Sequence, residues 1–242
     1  MNLIKEISKI SVYSLYKKNQ SNKIKKAGLA IIQNYLKDNK ERKLHIGSGG
    51  FILEGWLNVD LEPLDRKIAY LDAGTDYPLP DHSIDYVFSE HLFEHLNLDQ
   101  QIKMLDEIAR ILKPGGKARI ATPNLDAILG IRSNPSDLVK EYIGWAADTY
   151  FPQHIAKLGD SVKDPAFVIN NYFYSWGHQF IHNPSSFTLL ARKAGFENIV
   201  QVKIRESSDP ALKGLETHDN VIPTPYNELE TMVFEINSRK QL

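Results

Sequence analysis

Apolar and polar positions follow two rhythms along this chain. Over residues 1–42 the apolar side chains Leu3, Ile4, Ile7 and Ile10, then Leu29, Ile32 and Leu36, recur at helical spacing, which predicts a helical arm that needs a surface to cover. Beyond the arm, short β-rich runs take over: RKLHI, LNVDL, KIAYLD, IDYVFS and KARIAT, and later NIVQVKI and ETMVFEI. They alternate with helical patterns, the signature of a parallel sheet built from crossover units. Between the fourth and fifth runs, Asp99 can cap a helix whose Ile102, Leu105, Ile108 and Leu112 form one stripe, with KPGG stopping it. A second capped helix is predicted in HNPSSFTLLARKAGF, with Asn183 as cap, Pro184 in the first turn and Gly195 just past the end.

The stretch from Leu125 to Trp176 breaks this alternation. It holds nine of the chain's 24 aromatic residues and is too long for a plain connection. Two readings are open, a lid or acceptor-site lobe and a helical packing extension. The resulting division is an N-terminal helical arm over 1–42 and one domain over 43–242, with an insertion at about 125–176.

Composition narrows the class. At 242 residues, 42% hydrophobic and 24% charged, the chain is an ordinary folded protein long enough for a sizeable core. With no cysteine it has no disulfide framework, thiol nucleophile or thiolate metal site, and the cytoplasm is the default compartment. No run approaches the roughly 18 apolar residues of a membrane span, and the first residues are too often interrupted by charge for a signal peptide. The net charge of −1 hides an asymmetry. Residues 1–43 carry eleven Lys/Arg against three Asp/Glu, net +8, which leaves net −9 for the remainder. Such an arm suits weak contact with an anionic membrane surface or polymer, or a solvated helix packed on its own body. The acidic body gives no clear nucleic-acid signal.

Candidate chemistry begins after the first strand. Gly47, Ser48 and Gly49 stand where glycines let a ligand approach the backbone at the carboxyl end of a parallel sheet. The second strand ends on Asp60, whose carboxylate suits the two hydroxyls of a ribose. A dinucleotide does not fit: the third glycine of GxGxxG would fall at Ile52, and Asp60 follows sooner than the usual interval of about 20 residues. Only eleven residues, Gly47 to Leu57, separate the two strands, so the intervening helix must be short or irregular.

Taken in order, LHIGSGG, GWLNVDL, YLDAGTDYPLPDHSIDYVFSEHLFEHL and ILKPGGKARIATPN resemble the class I S-adenosylmethionine-dependent methyltransferases, particularly their small-molecule group. A weaker echo follows in SSFTLLARKAGFENIVQV and ETMVFEI. The resemblance implies a Rossmann-like, seven-stranded, mostly parallel α/β sheet with an antiparallel last strand. It implies S-adenosylmethionine as cofactor, its methionine end against Gly47, Ser48 and Gly49 and its ribose on Asp60, with Leu61 beside it. Asp72 and Ala73 would meet the adenine, and Ser89 and His91 would border the transferable methyl. His45 joins the cofactor set at a position where many members have an acid, and Phe51 stands where a third glycine is common. A sulfonium cofactor needs no phosphate-gripping lysine, only close backbone approach, acids for its ribose and a shaped slot.

His91, Glu94 and His95 also spell HxxEH, an inverted zinc-peptidase pattern. On a helix its two histidines would share one face and could hold zinc, with Glu94 as general base. The plainer reading of Glu94 and His95 is a helix start that satisfies neighbouring backbone. His91 and His178 are the candidate catalytic bases, His178 because WGH falls where a lid could return over the cofactor, and His218 is a further one. Three functions follow: methyl transfer to a small-molecule or glycan-type acceptor, nucleoside binding without turnover, and zinc-dependent hydrolysis.

Overall fold

The computed structural model describes residues 22–237. Seven strands, β1 (Lys43–Ile46), β2 (Leu57–Asp60), β3 (Ala69–Tyr70), β4 (Ile84–Glu90), β5 (Leu112–Pro123), β6 (Asn198–Val202) and β7 (Thr231–Asn237), form one sheet. Its order is β3-β2-β1-β4-β5-β7-β6. Every strand is parallel except β7, which runs antiparallel between β5 and β6. The order reverses between β1 and β4, so the carboxyl ends of these two neighbours diverge into connections of opposite sense and leave a crevice.

Period-two alternation assigns the faces. Leu44, Ile46, Leu57, Val59, Val87, Ala118, Ile120, Phe234 and Ile236 point into the main core. That face is covered by α1 (22–38), α2 (Leu98–Ile111) and α7 (Pro184–Lys193). From α1, Ile32 is buried and Leu36 packs against the core, whereas Leu29 stays 43% exposed. At Gly28 a Cβ would lie 2.6 Å from the backbone nitrogen of Tyr70, so α1 rests directly on β3. The expected apolar positions Leu3, Ile4, Ile7 and Ile10 lie outside the described residues.

The opposite face is closed mainly by loops. Trp56, Phe88 and Leu212 pack there, and Arg119 is fully buried between the carboxylates of Glu216 and Glu235. The connection from β1 to β2 contains turns and no helix, not the short or irregular helix that its length leads one to expect, because the turn folds back onto the Val59 carbonyl.

Two boundaries differ from the sequence expectation. The cap of α2 is Asn97 rather than Asp99, because Asn97 and Gln100 satisfy each other's backbone N–H groups in a capping box. KPGG lies inside β5, and the buried stripe is Met104, Leu105, Ile108 and Ile111, with Ile102 left 41% exposed. The Asn183 cap, Pro184 and Gly195 (φ +94°) stand as expected around α7.

Residues 125–176 fold into α3 (Leu125–Ser133), α4 (Asp137–Tyr150), α5 (Pro152–Leu158) and α6 (Pro165–Tyr174). These helices have their own core around Ile128, Tyr142, Ala146, Val168 and Tyr172. Tyr226 and Leu229 of α8 (Thr224–Glu230) join it, tying the insertion to the start of β7.

Candidate active site

The glycine turn is built by the strand beside it. The backbone N–H groups of Gly47 and Ser48 both donate to the Val59 carbonyl, at 2.9 and 3.1 Å, which folds the chain back over β2. Gly47 (φ +73°) and Gly49 (φ +51°) adopt the left-handed conformation that glycine tolerates. They differ in surroundings: a Cβ on Gly47 would strike Leu92 at 2.8 Å, while one on Gly49 meets no described atom within 4 Å. Gly49 N–H donates to Asp60 Oδ2 at 2.8 Å, and Asp60 Oδ1 accepts from Glu62 N–H at 2.8 Å. Asp60 thus holds the turn open from the neighbouring strand tip.

Beside this turn lies a cavity of 440 Å³, floored by residues 47–51 and by the tip of β4. Its roof comes from Tyr150, Tyr172 and Trp176 of the insertion, from His178 just after it, and from Thr217, His218, Val221 and Ile222 of the β6–β7 connection. Glu90 draws that connection inward. Its carboxylate accepts from the N–H and hydroxyl of Thr217 and the N–H of His218. Burial pushes the Glu90 carboxyl up, against the pull of these donors.

His91 sits in a polar chain whose direction can be followed atom by atom. Asn227 Nδ2 donates to Asp219, which leaves Asn227 Oδ1 to accept the only hydroxyl proton of Thr231, at 2.8 Å. Thr231 Oγ1 therefore presents a lone pair to His91 Nε2 at 3.2 Å, and Glu94 Oε1 presents one to Nδ1 at 3.1 Å. With acceptors on both ring nitrogens, the site favours the imidazolium. Burial alone pushes His91 down, but the hydrogen bond and charge of Glu94, with the charges of Glu230 and Glu90, outweigh it and the net shift is upward. His91 has the geometry of a held cation, not of a ready base.

Glu94 is fully buried, and Thr122 donates to its second oxygen at 3.0 Å. Burial pushes its carboxyl up, but the His91 hydrogen bond and charge prevail and the net shift is downward. His218 stacks on His91 with centroids 3.9 Å apart, and burial together with the His91 charge pushes it down to about 4. On the opposite wall, His178 Nδ1 donates to the Tyr172 carbonyl at 2.8 Å, which leaves the lone pair on Nε2. Burial pushes His178 down as well, so it is neutral.

HxxEH does not lie on one α-helix. Only Phe93–His95 form a single 3-10 turn, and His91 precedes it at φ +46°. The shared helix face expected for His91 and His95 is absent, and His95 meets His178 instead, with ring centroids 4.9 Å apart.

Of the other expected residues, Gly47, Ser48 and Gly49 line the cavity. Ser48 Oγ and Ser89 Oγ are buried with no partner among the described residues, two polar atoms left available beside the crevice. Leu61, 54% exposed, and Asp72 with Ala73 lie at the tips of β2 and β3 outside the cavity. Asp72 Oδ1 accepts from Gly74 N–H. His45 is elsewhere: alternating with Leu44 and Ile46, it points to the loop-covered face, packs on Phe88 and donates to Asn58 Oδ1 at 3.0 Å. Burial pushes it down to about 4, so it is neutral there.

Sequence reasoning missed Glu90, Thr217, Ile222 and Glu230 as cavity residues. The aromatic density of the insertion was a usable signal for Tyr150, Tyr172 and Trp176; Thr217 carries none.

Residues 58–120 match a family model described as a methyltransferase domain. No curated protein matches the chain. Among solved structures, a SAM-dependent methyltransferase from Archaeoglobus fulgidus is 18% identical, with 93% of this chain and 99% of that one covered and a TM-score of 0.49. Haemonchus contortus phosphoethanolamine N-methyltransferase 2, solved with phosphomonomethylethanolamine and S-adenosylhomocysteine, is 19% identical with a TM-score of 0.44. The alignment takes in 88% of this chain but 52% of the Haemonchus protein, so it spans about half the length of that relative. Residues 58–120 are thus similar to part of a methyltransferase domain, and they lie in a Rossmann-like, seven-stranded, mostly parallel sheet with β7 antiparallel.

Proposed function

We propose that this protein transfers a methyl group from S-adenosylmethionine to a small-molecule or glycan-type acceptor. The observation that carries the reading is the open space over Gly49, whose N–H is held by Asp60 at the crevice between β1 and β4. The unpartnered hydroxyls of Ser48 and Ser89 beside it fit a polar ligand. Gly47, Ser48 and Gly49 would hold the methionine end, Asp60 the ribose through its remaining lone pairs, and Leu61 with Asp72 and Ala73 the adenine. His45 is a positioning residue: through Asn58, which also bonds Leu53 and Trp56, it fixes the connection leading from the turn to β2.

The sulfonium cofactor supplies an already activated methyl, so the chain's task is in-line placement of the acceptor. A cavity of 440 Å³ falls within the range of small-molecule sites. His91, held as a cation, balances the buried Glu94. The neutral lone pair of His178 Nε2 is the group placed to take a proton from the acceptor.

Calorimetric titration with S-adenosylmethionine and S-adenosylhomocysteine tests the cofactor assignment. One equivalent should bind per chain, and Asp60→Ala should weaken binding by about 1–3 kcal/mol, the scale of hydrogen bonds to a charged group. A folded protein that ignores both nucleosides would refute the proposal.

A further inference from the structure

We propose that Glu94, His95 and His178 form a binding site for one divalent transition-metal ion of the zinc type. Their ligand atoms all lie within 4.8 Å of one another. Two imidazoles and one carboxylate suit zinc, cobalt or iron better than magnesium or calcium, which prefer oxygen alone.

The case rests on how the three side chains are held. His178 Nδ1 is spent on the Tyr172 carbonyl, so its Nε2 lone pair is fixed in place, the backbone anchoring typical of a metal-binding histidine. The Glu94 carboxylate receives His91 on one oxygen and Thr122 on the other, and each oxygen keeps a further lone pair. The two ligand segments are also clamped across the fold. The Glu94 carbonyl accepts from the N–H groups of Gln179 and Phe180, at 2.8 and 3.2 Å, and Gln179 Nε2 donates to the His95 carbonyl at 2.7 Å. Trp176 (φ +57°) and Gly177 (φ +79°) then turn the chain sharply ahead of His178. Trp176 is a bulky residue in a conformation that tends to persist at functional sites. At Gly177 a Cβ would stand 3.9 Å from His95 Nδ1, so this turn borders the second imidazole directly.

His91 is not a ligand, since both its nitrogens are committed to Glu94 and Thr231. The set therefore differs from the HxxEH reading, in which His91 and His95 hold the zinc and Glu94 is the base: here Glu94 and His178 join His95 as ligands. Ligand atoms about 2.1 Å from a tetrahedrally bound ion stand about 3.4 Å apart. Capture thus asks for a closure of up to about 1.4 Å from the present separation of at most 4.8 Å, to which rotation of the partly exposed His95 ring contributes. All three residues line the cavity, so positions on the ion would remain open toward it. If the methyltransferase reading holds, an acceptor oxygen or nitrogen bound there would release its proton to solvent more readily, and the metal would replace His178 as the means of activation.

Cobalt(II) is the probe. Titrated into the full-length protein, it should give the visible absorption of a four- or five-coordinate site at one equivalent, displaced by zinc(II) and not by magnesium(II). His178→Ala and His95→Ala should each weaken binding at least 100-fold, while His154→Ala, on α5 away from the site, leaves it unchanged. If His178→Ala fails to fold, the partly exposed His95→Ala decides alone. No stoichiometric spectrum, or unchanged affinity in a folded histidine variant, overturns the site. S-adenosylhomocysteine titrated into the same samples separates the two readings: nucleoside binding without metal removes this site alone, and metal binding without nucleoside removes the cofactor assignment alone.

Discussion

Two glycines two residues apart should respond differently to the same added methyl. Gly49→Ala meets no described atom within 4 Å, so its cost to the fold is conformational only. At φ +51° an L-residue loses about 1–2 kcal/mol, and the stiffer unfolded chain returns about 0.4–1 kcal/mol. The net loss is about 1 kcal/mol, a shift of about 2–4 °C in Tm for a chain of this size. Gly47→Ala carries the same conformational cost plus contacts of 2.8, 2.9 and 3.0 Å with Leu92, which packs against the main core. Overpacking of that kind adds about 1–3 kcal/mol, so its Tm should fall two to four times as far. Binding should separate the variants in the other direction. The Gly49→Ala methyl enters the space assigned to the cofactor and should weaken S-adenosylhomocysteine at least tenfold, about 1.4 kcal/mol. Thermal unfolding with and without the nucleoside, backed by calorimetry, measures both effects. If folded Gly49→Ala binds like the parent protein, the space above the turn is not the cradle. If it melts as low as Gly47→Ala, the steric reasoning fails.

Further predictions concern charge. His45 and His182 are buried and held neutral, each pushed down to about 4 by burial. A base with a lowered folded pKa gives stability that is complete above its unfolded value of about 6.5 and is lost as pH falls toward 4, up to about 3 kcal/mol per histidine. Urea unfolding at pH 7.5, 5.5 and 4.5 should show that decline; a flat profile would contradict it. Glu94→Gln should remove the charge that raises His91, so an NMR titration should find the His91 pKa lowered, and an unchanged value would exclude the ion pair. In the parent protein that pair contributes stability below the unfolded value, lost as pH rises through the folded His91 pKa. Arg119→Met should cost about 3–5 kcal/mol in urea unfolding, because it strands the carboxylates of Glu216 and Glu235 in the loop-covered face. A loss below 1 kcal/mol would show that water reaches the cluster.

Much of the framework was legible because it depends on neighbours. The strand runs, the Asn183 cap with Pro184, and the glycine turn ahead of Asp60 all follow from alternation and backbone preference over about ten residues. Even the placement of His45 follows from strand parity, since it alternates with Leu44 and Ile46, although the family resemblance pointed it toward the cofactor. Where two local signals competed, as with Asn97 and Asp99, the reciprocal bond to Gln100 decided. The site chemistry was settled at longer range. His91 has an acceptor at both ring nitrogens because β7 brings Thr231 to its Nε2 from 140 residues away, and His95 meets His178 because the clamp between Gln179 and His95 spans 84 residues. Thr217 reaches Glu90 across 127 residues. Spacing along the chain predicts which side chains share a face of one element, but not which faces the sheet order and loop returns will press together. Protonation and ligand sets depend on those pressed faces, and so tertiary structure alone determined them.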